Sequence, residues 1–137
     1  MKVLKQLPLL ALAAIFLAGC GGAPIGEPAV APTYVGRWTG TWTSATLAQN
    51  GDISITITAD GVVNGTTRNV TLAEDGVVVG RVTGGNKFSG KVTPTGMAAQ
   101  TVTGTLSSTL AGGVTGDMVQ TVSGTAHDVD WALTPAP

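Results

Sequence analysis

Cysteine is almost missing from this 137-residue chain, which carries only Cys20. No internal disulfide can form, so any fold must be held by packing and hydrogen bonds alone. Charged residues make up 11% and aromatics 4%, while 43% of the chain is hydrophobic. That balance is not that of a disordered chain, which is charge-rich and poor in Val and Ile. Histidine is as scarce as cysteine. With His127 alone, there are too few ligands for a zinc site. Ser123 and Asp128 neighbour His127, but no G-x-S-x-G elbow accompanies them and no Ser-His-Asp relay is read there. Asp128 and Asp130 share one outward strand face and read as a solvated edge rather than calcium ligands. Glu74-Asp75, placed before Gly76, reads as a turn. A glycosidase needs two carboxylates across a cleft, which a small closed fold hardly provides. No window has helical spacing, so no phosphate-cradling loop opens a helix. These absences lead to an expectation of a non-enzymatic protein with no cofactor and no metal.

The first residues are a targeting segment in pattern. Lys2 and Lys5 precede Leu7–Ala18, which is apolar throughout. At 12 residues the run is short of the roughly 20 needed to span a bilayer. A basic start, a short apolar stretch and small residues before a cut site make a secretory signal. The stretch ends in "LAGC", residues 17–20, followed by Gly21 and Gly22. This stretch resembles the lipobox of bacterial lipoproteins. The resemblance implies cleavage after residue 19, a diacylglyceryl group on the Cys20 thiol and often an acylated amino group, so that fatty chains such as palmitate anchor the protein. Two or more acyl chains hold a protein durably at a membrane, whereas one does not. Gly21 is not the Asp that retains such proteins at the inner membrane. The resemblance therefore implies the cell envelope, and the outer membrane if the host has one.

Residues 21–34, "GGAPIGEPAVAPTY", have three prolines, one charge and no periodicity. They read as an extended linker, and at about 3.1 Å per residue they reach roughly 40 Å. Removal of residues 1–19 leaves five basic side chains (Arg37, Arg68, Arg81, Lys87, Lys91) against eight acidic ones, a net charge of −3. With no basic patch, nucleic acid is not an expected partner.

Glycine and alternation are what the remainder has in quantity. Ile53, Ile55 and Ile57 alternate with Ser54, Thr56 and Thr58, the period of a half-buried strand. Asn50-Gly51, Asp60-Gly61, Asp75-Gly76, Gly84-Gly85-Asn86, Pro94-Thr95-Gly96 and Gly112-Gly113 read as turns. A pattern of apolar, any, Gly, any, apolar recurs as "WTGTW" (38–42), "VVGRV" (78–82), "FSGKV" (88–92), "VTGTL" (102–106), "VTGDM" (114–118) and "VSGTA" (122–126), with "VNGTT" (63–67) a looser copy. Because i, i+2 and i+4 share a face, each glycine falls inward between two apolar residues. Glycine costs a strand stability, and its use there is to permit a bend or the close approach of another backbone.

The pattern predicts eight or nine strands, at roughly 35–44, 52–59, 61–68, 69–74, 77–83, 87–93, 98–107, 113–123 and 126–134. Joined by short turns, they make an all-β, antiparallel up-and-down barrel over 35–134, with 135–137 as a tail. Trp38, Trp42 and Trp131 lie on inward registers. Outward positions are Thr, Ser and charge, so the barrel itself is not expected to cross a membrane. A monomer is expected.

"GTW" (40–42), "ITADGVVNGT" (57–66) and "WALT" (131–134) together resemble the opening and closing strands of avidin-like barrels. "G-x-W" at 36–38 is similar to the first strand of lipocalins. Both resemblances imply a meander barrel with an open mouth. Avidins line that mouth with tryptophans on middle and late strands, whereas Phe88 is the only aromatic between Thr43 and Asp130. No binding residue therefore carries over. The first functional expectation is a lipid-anchored envelope protein that acts by surface contact with an envelope or external protein, in the manner of small barrel inhibitors, with the loop Ser107–Gly113 a candidate contact. The alternative is a calycin-type carrier of a small apolar ligand.

Overall fold

The computed structural model describes residues 30–137. Cys20, Gly21, the signal segment and most of the linker lie outside the described residues. A short 3-10 helix, Pro32–Tyr34, leads into eight strands: β1 Gly36–Ser44, β2 Gln49–Ile57, β3 Val62–Asn69, β4 Glu74–Val82, β5 Lys87–Pro94, β6 Gln100–Ser108, β7 Val114–Val122 and β8 Thr125–Pro135. Each strand pairs antiparallel with the next, and β8 returns to β1, so the sheet closes in sequence order. Closure removes both sheet edges. The expected all-β meander barrel is the fold.

Alternation decides which residues face inward. In β2 the inward set is Gly51, Ile53, Ile55 and Ile57, all buried, with exposed residues between them. The same register buries Trp38, Trp42 and Trp131 as expected, together with Phe88, Leu106 and Met118. Phe88 and Trp131 pack ring against ring, centroids 5.1 Å apart and tilted. Outward positions of β1 and β2 include Thr39, Thr41, Thr43, Asp52, Ser54 and Thr56, all exposed. On β4 and β7 the outward positions also include Val77, Val79 and Val119, each exposed, so the polar exterior is interrupted there.

The inward glycines serve close approach. A Cβ at Gly104 on β6 would overlap the Asp117 carbonyl of β7 and lie 2.6 Å from Met118 Sδ. Gly65 on β3 stands in the same relation to the Ser54 carbonyl of β2. One copy of the pattern departs: Gly124 is not inward but forms a two-residue turn with Ser123, joining β7 to β8. Their φ angles of 49° and 85° are both left-handed, as a tight hairpin of this twist requires.

Two expected turns are corrected. Asn50-Gly51 and Asp75-Gly76 lie inside β2 and β4. The chain reverses just before each, at residues 45–48 and 70–73, where Ala48 (φ 56°) and Ala73 (φ 59°) take the left-handed conformation. The reason is local hydrogen bonding. Ser44 Oγ accepts from the Leu47 N–H at 3.4 Å, and Asn69 Oδ1 accepts from the Leu72 N–H at 3.0 Å. Side chains of this type, bonded to backbone a few residues on, define turns of their own. The two segments are near copies, "SATLAQNG" (44–51) and "NVTLAEDG" (69–76). With 70–73 a turn, the separate strand expected at 69–74 does not exist, and the count is eight.

The end of the expected linker belongs to the fold. Val30 and Tyr34 are buried in the core cluster. Trp38 Nε1 donates to the Tyr34 carbonyl at 2.9 Å, and the Tyr34 hydroxyl reaches the Leu106 carbonyl at 3.4 Å. This segment closes the barrel end that also holds the loops after β2, β4 and β6. We call that end the base and the opposite end the mouth.

Candidate functional site

The mouth is framed by the loops after β1, β3 and β5 and by the tight turn after β7. Below it lies a cavity of about 200 Å³. Its floor and walls are apolar, with Trp42, Trp131, Ile53, Val78 and Val102 among the lining residues. Trp42 on β1 and Trp131 on β8 are direct cross-strand partners. Gly51 gives the Trp42 indole its space, since a Cβ there would come within 2.6 Å of Nε1.

Above the apolar floor, amides line the wall. Gln49 on β2 and Asn69 on β3 are joined by a 2.9 Å bond from Asn69 Nδ2 to Gln49 Oε1. Gln100 on β6 and Gln120 on β7 are joined likewise, Gln120 Nε2 donating to Gln100 Oε1. All four line the cavity. Each loop then lends one large apolar side chain to the lip: Leu47, Leu72 and Met97. Ser44 fixes the first of these loops, because its buried hydroxyl also donates to the Asp128 carbonyl of β8 at 2.6 Å.

One polar atom in this setting is unsatisfied. Trp42 Nε1 is buried and has no hydrogen-bond partner among the described residues. A buried donor left unpaired costs about 1–3 kcal/mol. The cavity is thus an apolar cup with an amide collar. Its lining has no Ser, Cys or His among the described residues.

The residues considered from the sequence do not gather into a site. His127 on β8 lies beside Gln120 in register, while Ser123 is in the turn and Asp128 faces outward. Asp130 is outward as well, opposite Asp117 of β7. No group of three or more His, Cys, Asp or Glu suited to a metal occurs among the described residues. Glu74, read as a turn residue, instead begins β4 on its inward register and lines the cavity. The amide collar was not anticipated, although period two carried outward from each apolar run reaches it: Gln49 precedes Gly51 and Ile53 by alternate steps, and Gln100 precedes Val102. No protein-family model matches the chain, and neither curated proteins nor solved structures yield a match.

Proposed function

We propose that this protein is a lipid-anchored envelope cup, held by fatty chains on Cys20, that binds a small ligand in its mouth without transforming it. The observation that carries the binding role is the mouth cavity, with Trp42 and Trp131 in its apolar wall and four amides above them. Apolar pockets with a few placed polar groups are the usual form of small-molecule sites. Val30 packs at the base, so a tether from Cys20 would join the domain at its closed end and leave the mouth clear of the attachment point. A second reading, contact with an envelope or external protein, rests on the loop 109–113 at the base, where Leu110 is fully exposed.

Native mass spectrometry of the full processed protein, extracted in mild detergent from its host, tests the binding role. A non-lipid small molecule should accompany the wild type and be lost from Gln120→Trp, which fills the mouth from the collar without overpacking the core. Ligand-free masses for both would refute the carrier reading and leave the contact reading. Labelling with a tagged fatty acid tests the anchor: Cys20→Ser should take up none, and retained label would place the lipid elsewhere or remove it from the account.

A further inference from the structure

Charge around the mouth is one-sided. Among the described residues none lining the cavity is Lys, Arg or His, while Glu74 and Asp75 both line it. Asp75 is spoken for, paired with Arg68 at 2.8 Å on the outer face of the barrel. That is the only ion pair among the described residues, so the inward Glu74 carboxylate has no cationic partner there. A ligand carboxylate would meet Glu74 with nothing to neutralise either charge, an arrangement that is costly away from water. Fatty acids and other anions are therefore poor occupants. A cation meets the opposite conditions. Glu74 attracts it at the lip, while Trp42 on β1 and Trp131 on β8, three and four strands around the ring from β4, supply apolar wall for the rest of the ligand.

Size narrows the class further. An apolar cavity of about 150 Å³ accommodates benzene, so about 200 Å³ takes one ring and a short chain. We propose that the mouth takes a small organic monocation: an ammonium group toward Glu74 and a single ring against the apolar wall that holds Trp42 and Trp131. This rests on the reading of the mouth as the binding site.

Calorimetric titration of the full chain at low salt with four matched probes tests it. Tyramine carries the ring, the oxygen and the ammonium. Tyrosol replaces the ammonium by a hydroxyl, 4-hydroxyphenylacetate replaces it by a carboxylate, and 2-phenylethylamine lacks the ring oxygen. Tyramine should bind about two- to fivefold tighter than tyrosol, the range of a partly exposed ion pair, and its advantage should shrink as salt rises. 2-Phenylethylamine, with the same ammonium, should also bind, and 4-hydroxyphenylacetate should give no heat. Glu74→Gln should erase the difference between tyramine and tyrosol while leaving tyrosol unchanged; a thermal melt checks that the variant is folded. Tyrosol or the carboxylate binding as tightly as tyramine, in a manner abolished by Gln120→Trp, would overturn the cation assignment and keep the mouth as a site. Tyramine affinity undiminished in Glu74→Gln would overturn it too. No heat from any probe would sink the mouth as the site and this proposal with it.

Discussion

Replacing Gly104 by Ala adds a single methyl, and the structure says where it goes. It would overlap the Asp117 carbonyl of β7 and lie 2.6 Å from Met118 Sδ and 2.7 Å from Met118 Cα. Two of those neighbours are backbone, and the Met118 side chain is fully buried, so it has no solvent to swing into. The β6–β7 pair would have to separate locally. Overpacking of this kind costs about 1–3 kcal/mol, and a backbone clash belongs at the upper end. Against it, alanine recovers about 0.5–1 kcal/mol of the entropy that glycine loses in a strand. The net expectation is a loss of about 2 kcal/mol, or about 8–16 °C in Tm for a domain of this size. Gly85→Ala is the matched control. It lies in the loop after β4, its added Cβ would meet only Lys87 carbons at 3.9 Å, and its φ lies outside the left-handed region. That variant should gain about 0.4–1 kcal/mol through the unfolded chain. Urea titrations followed by circular dichroism, with equal slopes for all three proteins, provide the measurement. If Gly104→Ala unfolds at or above the wild-type midpoint, the inward glycines are not there for strand approach.

Two further predictions test how the ends of the barrel are made. Tyr34→Ala should cost about 3 kcal/mol, as for other large buried side chains cut to alanine, because Tyr34 closes the base; an unchanged urea midpoint would return residues 30–34 to a mere tether. Ser123→Asn should raise the Tm by about 1–3 °C, a few tenths of a kcal/mol, because Asn-Gly suits two successive left-handed residues better than Ser-Gly. A fall in Tm would show that the Ser123 conformation of φ 49° is not what limits this hairpin.

Misplaced turns show where local reading stopped. Asn-Gly and Asp-Gly are strong hairpin signals, yet Gly51 and Gly76 face inward from strands. The turns before them use alanines in the left-handed conformation, held by Ser44 and Asn69, which no turn propensity for alanine would suggest. The 30–34 segment misled for a related reason. Its prolines and lack of periodicity describe a linker, and a plug needs no periodicity, only apolar side chains that reach an open end.

The sequence by itself determined the strand period, the inward set from Trp38 to Leu133 and, Gly124 apart, the inward face of the glycines, because alternation is local and every strand repeats it. Tertiary structure alone decided the base, the mouth and the cavity between them. Gln49 meets Asn69 across 20 residues of chain, and Gln120 meets Gln100 across another 20. Trp42 meets Trp131 only because β8 returns to β1. Which of these side chains share a wall depends on register and closure. Both are set by the packing of the whole barrel around its core, and no window of sequence contains it.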